Sequence, residues 1–252
     1  SAWLYLPLYA AEPVPCVVMS NGFAGTKDCL SDRYAERFIG AGIAVLSYDY
    51  RHFGRSGGRP RQLFSVRKQL ADLVQAVAYA RSRAEIDPGR VALWGCSASG
   101  GYGLIVAARD HGIACVVAQC ASLAPGRDGW RAMTRDGLGG VLRRFVHAGR
   151  DKARARFGLS PHRIPAVGRP GTSAALTAPG AYEGYAQLMS RSRSFRNTVC
   201  ARMFLERSEQ DLTAAAAQVS CPVLIIRGER DELVATDSQR RLEEALGDKL
   251  TI

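Results

Sequence analysis

The stretch RVALWGCSASGGYG, which runs from Arg90 to Gly103, decides how this chain folds. Its first part, from Val91 to Trp94, is a short apolar run of the kind that forms a buried strand, and Gly95 ends it. Small residues follow at once, and Ser97 stands third in the pentapeptide GCSAS. The pattern is close to G-x-S-x-G, in which a strand turns sharply into a helix and lifts a serine above the sheet. The stretch therefore predicts a strand, a strained elbow at Ser97 and a helix.

The serine at the elbow has a rival two positions further on. The pentapeptide SASGG, from Ser97 to Gly101, also fits the motif with its first glycine replaced, and Ser99 would then be the nucleophile. We favour Ser97 because Gly95 then stands directly after the apolar run, where the crowded turn needs a residue without a side chain. A Gly/Ser-rich turn without chemistry is the remaining alternative.

Apolar runs alternate with helical patterns along most of the chain. Strands are predicted at Ala2 to Leu8, Pro15 to Met19, Ile43 to Tyr48, Val91 to Trp94, Ile113 to Ala118, Val223 to Ile226 and Lys249 to Ile252. Helices are predicted at Asp32 to Ile39, Ser65 to Arg83, directly after the elbow, and Ser238 to Leu246. Asp87-Pro88-Gly89 is predicted to break the chain before the elbow strand. Strands that alternate with helices imply a mostly parallel sheet flanked by helices.

The pattern changes between residues 124 and 208, where Gly, Pro, Arg and short amphipathic pieces replace strong strands. We therefore predict a core in two parts, 1–123 and 209–252, which suits a chain of 252 residues. The mainly helical insertion, 124–208, is predicted to form a cap over the carboxyl ends of the strands, where open α/β sheets bind ligands. Its aromatic side chains are predicted to pack inside it. They are Trp130, Tyr182, Tyr185 and Phe195.

The formal charge of +11 is concentrated in this insertion, because residues 126–207 carry 16 Lys or Arg and only 5 Asp or Glu. The arginines are dispersed without interleaved aromatic residues, which argues against a nucleic-acid site. Seven scattered cysteines without a C-x-x-C pair indicate buried thiols in a reducing compartment, so a cytoplasmic location is predicted. No apolar run approaches 18 residues and no signal-peptide pattern opens the sequence, so no membrane partner is predicted.

Two loops follow strands at the same edge of the predicted sheet. The first, residues 20–28, offers exposed backbone N–H groups, and its Gly25-Thr26-Lys27 lacks the spacing of a phosphate-binding loop. We therefore predict no nucleotide or other cofactor, and no metal. In the second loop, residues 49–58, Asp49 and Arg51 are predicted to form a buried ion pair that holds the strand end, with Arg51 as a substrate ligand the alternative.

Four stretches together resemble the α/β-hydrolase superfamily, and within it the polyketide-transferase-like and X-Pro-dipeptidyl-peptidase-like hydrolases. They are NGFAGTKD at 21–28, DYRHFGRSGG at 49–58, IDPGRVALWGCSASGG at 86–101 and PVLIIRGERDELV at 222–234. The resemblance implies the α/β-hydrolase fold, with Ser97 as the nucleophile that forms an acyl-enzyme. It also implies an oxyanion hole made by the backbone N–H groups of Phe23 and Ala98. Asp231 takes the place of the carboxylate that orients the histidine, with Glu229 as the alternative.

The resembling family places its catalytic histidine after the last strand. The four histidines here are His52, His111, His147 and His162, and none occupies that place. Because the chain stops as a strand begins, both ends look incomplete, and we expect the histidine beyond Ile252.

The resemblance implies a serine hydrolase that cleaves a carboxylic ester or thioester. An acyltransferase using the same acyl-enzyme is one alternative, and an inactive binding protein is another if the histidine is truly absent. The expected partner is a small acyl substrate, and the basic insertion would attract an anionic one, such as a carboxylate or a thioester on a carrier or on coenzyme A. The oligomeric state stays open, a homodimer included.

Overall fold

The strands form around short runs of buried aliphatic residues, and the computed structural model describes residues 1–8, 12–29, 31–122, 134–206, 211–229, 231, 233–234 and 236–252. The strands of these residues are β1 (Ala2–Tyr5), β2 (Val14–Ser20), β3 (Ala44–Tyr48), β4 (Ile86–Cys96), β5 (Ile113–Gln119), β6 (Arg163–Ile164), β7 (Val199–Cys200), β8 (Val223–Ile226) and β9 (Leu250–Thr251). The helices are α1 (Ser31–Gly40), α2 (Val66–Arg81), α3 (Ala98–Ala107), α4 (Gly137–Arg156), α5 (Ala181–Arg191), α6 (Leu212–Gln218) and α7 (Thr236–Leu246).

Seven strands form one sheet in the order β1-β3-β2-β4-β5-β8-β9. Only β1 runs antiparallel to its neighbour, so the predicted mostly parallel sheet is confirmed. The register aligns the carboxyl ends of the central strands, because Gly95 pairs with Ser20 of β2, and Gln119 of β5 pairs with both Cys96 and Ile226. Loops that follow β2, β4, β5 and β8 therefore start side by side along one edge.

Both faces of the sheet are covered, as the alternation of side chains along its strands requires. In β2, Val18 belongs to the larger core cluster together with Leu93 and Tyr102, whereas Met19 packs on the opposite face with Trp94. All ten residues of α3 are buried, so the helix after the elbow lies in the centre of the larger cluster.

Strand β4 is longer than the sequence predicts. Asp87-Pro88-Gly89 does not end the strand, so the predicted break there is wrong. The Gly89 amide donates a hydrogen bond of 2.9 Å to the Asp87 side chain, which lets a tight local turn remain within the strand. The pairing with β2 shifts register between Val14 and Cys16 to accommodate the extra residues.

The described part of the insertion, residues 134–206, contains α4, α5, the two-residue strands β6 and β7, and a 3₁₀ helix at Ala201–Leu205. Asp151 of α4 is buried and accepts from Arg202 at 2.7 Å, which ties α4 to the 3₁₀ helix. The predicted boundaries at 123/124 and 208/209, and Trp130, lie outside the described residues. None of the described helices combines the length and hydropathy that spanning a bilayer requires.

The predicted Asp49–Arg51 ion pair is wrong. Asp49 is buried and accepts from the ammonium group of Lys27 at 2.6 Å, whereas Arg51 pairs with Asp72 of α2. The Asp49 carboxylate also accepts from the backbone amides of Lys27 and Arg55. Asp49 therefore joins the loop after β2 to the loop after β3, rather than closing its own loop.

We expect Lys27→Met to lower the free energy of unfolding by about 3 kcal/mol, because it leaves the Asp49 carboxylate buried without its cation. Urea unfolding measures the change. Arg169→Met is the matched control, since it breaks a solvent-exposed pair with Glu183 and should have no measurable effect. A Lys27→Met protein as stable as wild type would contradict this role for the pair.

Candidate active site

Ser97 lies at a sharp bend between β4 and α3. Its backbone has φ +56° and ψ −123°, a conformation that residues other than glycine rarely adopt. The neighbouring loop holds it there, because the Ser97 amide donates to the Gln119 carbonyl at 2.8 Å and the Ser122 amide donates to the Ser97 carbonyl at 3.2 Å. The bend agrees with the strained elbow that the sequence predicts.

Gly95 makes the bend possible. A Cβ atom at this position would lie 2.3 Å from the carbonyl oxygen of Ser99 and 2.6 Å from the amide nitrogen of Gly100. Both contacts are with backbone atoms of α3, so no side-chain rotation can relieve them. The absence of a side chain at Gly95 therefore lets the helix turn back against the end of the strand.

We expect Gly95→Ala to lower the free energy of unfolding by about 3 kcal/mol, because its methyl group forces α3 away from β4. Gly184→Ala is the control, since a Cβ atom there meets nothing within 4 Å and alanine is the better helix residue. Thermal and urea unfolding of both variants measure the difference. Equal stability of Gly95→Ala and wild type would contradict the packing argument.

The two candidate serines have different surroundings. Ser99 is buried, its hydroxyl donates to the Asn21 carbonyl at 2.5 Å, and the Tyr50 hydroxyl lies 2.8 Å from it. Ser97 is half-buried, and the described residues give its hydroxyl no hydrogen-bond partner. The hydroxyl of Ser99 is thus buried and hydrogen-bonded, whereas the hydroxyl of Ser97 has no such bond among the described residues.

Cys96 precedes Ser97 and could compete with it as a nucleophile. Burial, and to a smaller extent the nearby Cys120 and Asp231, raise the pKa of the Cys96 thiol to about 12. The reactive thiolate is therefore scarce near neutral pH. Cys96 is a poor candidate for the nucleophile.

The loop after β2 lies directly against the elbow. A Cβ atom on Gly22 would lie 3.4 Å from the Cβ atom of Ser97 and 3.3 Å from the Cys96 carbonyl. Phe23 comes next, and its amide donates to no backbone carbonyl of the described residues. Ala98 is the first residue of α3, where an amide has no acceptor within the helix. Within the described part of the chain, neither of the two predicted oxyanion donors gives its amide hydrogen to an acceptor.

Asp231 lies in the loop after β8, on the other side of the elbow. Its carboxylate accepts from the amides of Leu233 at 2.8 Å and Val234 at 3.1 Å, which fixes its direction. Burial, and then the Asp231 carboxylate, raise the pKa of the Cys120 thiol at the end of β5. Glu229 is exposed, so Asp231 is the better placed of the two predicted acids.

All four histidines are described, and none hydrogen-bonds Ser97 or Asp231. His147 and His162 bond each other at 2.7 Å, and the His111 ring lies 3.1 Å from the Ser220 hydroxyl. His52 is buried beside Lys68, at 3.5 Å. The loops that carry the predicted serine, amides and carboxylate therefore start from one edge of the sheet, and none of the four histidines joins them by a hydrogen bond.

The family described as X-Pro dipeptidyl-peptidase (S15 family) matches residues 1–248. The chain belongs to the S15 family. This S15 member is 36% identical over 241 residues to the quorum-quenching protein AidA of Acinetobacter baumannii, across 96% of this chain and 78% of that protein. The thiohydrolase AneE of Aspergillus aculeatus is 37% identical over 106 residues, which cover 42% of this chain and 33% of that enzyme.

Solved structures give the same fold for this S15 member. The α/β hydrolase GrgF of Penicillium superposes with a TM-score of 0.79 at 23% identity, across 99% of this chain and 87% of that one. DcsB, solved with a substrate analogue, gives a TM-score of 0.78 at 24% identity, across 98% and 81%. The predicted α/β-hydrolase fold, with its parallel sheet and flanking helices, is confirmed.

Sequence reasoning missed two residues that this S15 member places around the loop after β2. Tyr185 of α5 donates its hydroxyl to the Phe23 carbonyl at 3.1 Å, although the sequence predicts only a packing role for it. Asp28 accepts hydrogen bonds from Ser192 and Ser194 of the insertion. Both contacts join residues more than 160 positions apart, and no local pattern signals them.

Proposed function

We propose that this protein hydrolyses a carboxylic ester or thioester through an acyl-enzyme on Ser97. The observation that carries the proposal is the half-buried Ser97 at φ +56°, with Ala98 next in the chain and the loop that contains Phe23 packed against the elbow. The Ser97 oxygen attacks the carbonyl carbon while its proton passes to a base, and the tetrahedral oxyanion accepts from the two amides. The alcohol or thiol then leaves with a proton, and water attacks the acyl-enzyme to release the acid.

The base of this reaction is proposed to be a histidine that Asp231 orients. The loop after β8 supports this role, because the bonds from Leu233 and Val234 hold the carboxylate on the same edge of the sheet as Ser97. A carboxylate of this kind fixes the tautomer of the imidazole and stabilises its protonated form.

The proposed substrate is a small, anionic acyl compound, with a thioester favoured. Relatives named thiohydrolases support the thioester. The turn of the insertion that contacts the loop after β2 is flanked by three exposed arginines, Arg191, Arg193 and Arg196. Their positive charge would attract a carboxylate or a phosphate-bearing carrier toward the site. The insertion would thus act as a cap that selects the acyl group.

Acyl transfer is the second candidate, because relatives are named acyltransferase and polyketide transferase. It shares the acyl-enzyme with hydrolysis and differs only in the second step. A hydroxyl or amine of the acceptor, rather than water, would attack the acyl carbon.

The test uses the natural full-length protein with p-nitrophenyl butyrate and with butyryl-coenzyme A. We expect a burst of leaving group, followed by steady turnover, with each compound. An added alcohol or amine that yields an acylated product in place of the acid would identify acyl transfer. Absence of turnover and of any covalent adduct would overturn the proposal and favour a binding protein.

A further inference from the structure

Two sets of hydrogen bonds join the insertion to the loop after β2. The first is the bond from the Tyr185 hydroxyl to the carbonyl of Phe23. Phe23 follows Gly22, which lies against the elbow, and its amide is one of the two proposed oxyanion donors. The Tyr185 ring also packs near Phe195, with 6.4 Å between ring centroids, which limits where the hydroxyl can point.

The segment that Tyr185 contacts is a strained turn. The Gly25 amide donates to the Gly22 carbonyl at 3.0 Å, and Ala24, the third residue of this turn, has φ +55°. A positive φ at that position is the type II pattern and normally requires glycine or asparagine. Rotation of the Phe23–Ala24 peptide would relieve the strain at Ala24 while it kept the Gly22–Gly25 bond. The Tyr185 hydroxyl opposes this rotation, because it holds the Phe23 carbonyl in place. The Phe23 amide belongs to the preceding peptide, so Tyr185 acts on it through the backbone of Phe23.

The second set of bonds ends on the carboxylate of Asp28. One oxygen accepts from the hydroxyls of Thr26, Ser192 and Ser194 at 2.6 to 2.7 Å. The other accepts from the amides of Arg193 and Ser194 at 3.1 and 3.0 Å. Four of these five donors belong to the turn that follows α5. Hydrogen bonds therefore join the far end of the loop after β2 to the turn that follows α5, the helix that contains Tyr185.

We propose that Tyr185 and Asp28 are positioning residues, through which the insertion holds the Phe23 amide in line with the oxyanion. The inference rests on the proposed function, because it assigns the insertion a part in acylation as well as in shaping the acyl pocket. A displaced amide stabilises the transition state much less, because an oxyanion donor acts only at a short, defined distance from the oxyanion.

The ionisation of Asp28 supports this role. Burial by itself would raise the pKa of Asp28, but the hydrogen bonds from Ser192, Thr26 and Ser194 outweigh burial and lower it to about 2. A lowered pKa means that the contribution of the carboxylate is fully present above the ordinary value near 3.8 and is lost as the pH falls toward 2. The Asp28 carboxylate is therefore ionised, and accepts these hydrogen bonds, throughout the neutral pH range.

The test compares Tyr185→Phe and Asp28→Asn with Tyr182→Phe in the full-length protein. Tyr182→Phe is the matched control, because Tyr182 lies on the same helix and its hydroxyl has no partner among the described residues. We expect Tyr185→Phe to lower kcat about 10-fold with KM unchanged, and Asp28→Asn to lower it further. We also expect faster hydrogen–deuterium exchange in the peptide spanning 21–29 in both variants, with the control like wild type.

Exchange separates this inference from the proposed function, because it needs no substrate. If wild type turned over no ester, the proposed function would fail, and the exchange of residues 21–29 would still test Tyr185 and Asp28. Unchanged exchange in both variants overturns the positioning role, whatever the activity. Faster exchange with kcat equal to that of an active wild type also overturns it. If the variants lost kcat only in proportion to a lower Tm, and regained it at lower temperature, both residues would have a structural role only. That result would also overturn the positioning role.

Discussion

Replacement of Ser97 with alanine is expected to lower turnover of an ester or thioester by about 10⁴- to 10⁶-fold, the range found when a serine nucleophile is removed. Stability should change little, because the Ser97 hydroxyl has no hydrogen-bond partner among the described residues. Steady-state kinetics and urea unfolding of the same preparation measure the two quantities.

Ser99→Ala is the matched control and should show the opposite pattern. Its buried hydroxyl bonds the Asn21 carbonyl and contacts Tyr50, so its removal is expected to cost about 1 to 2 kcal/mol of stability. Turnover should stay within about 10-fold of wild type, since that hydroxyl is not part of the proposed chemistry. If Ser99→Ala abolished turnover and Ser97→Ala did not, the assignment of the nucleophile would be wrong.

Asp231→Asn is expected to lower kcat by about 10⁴-fold, as a triad acid does when its replacement favours the wrong imidazole tautomer. Stability should stay close to that of wild type, because the asparagine oxygen can still accept from Leu233 and Val234. The measurement is kcat in the full-length protein, together with Tm. Glu229→Gln is the control and should be fully active, since Glu229 is exposed. A fully active Asp231→Asn would remove Asp231 from the mechanism.

The centre of the fold can be predicted from sequence because its determinants are local. Gly95 stands directly between an apolar strand and a small-residue helix, and the same glycine avoids the contact at 2.3 Å with Ser99. The run from Val223 to Ile226 predicts β8 with the bounds that the structure gives, because buried parallel strands consist of continuous aliphatic residues. Parallel pairing then brings the loops after β2, β4 and β8 to one edge.

Contacts between residues that only the tertiary fold brings together could not be predicted from local sequence patterns. The sequence favours Arg51 as the partner of Asp49 because the two are close in sequence, yet the buried ammonium group comes from Lys27, which only the sheet order brings near. Tyr185 is likewise indistinguishable from a packing residue until its hydroxyl is seen on the Phe23 carbonyl.

The most direct test of the account is to treat the full-length protein with a fluorophosphonate, digest it, and identify the modified residue by mass spectrometry. We expect one adduct, on Ser97, in the peptide that contains GCSAS. An adduct on Ser99 or on Cys96, or no adduct in a folded protein, would contradict it.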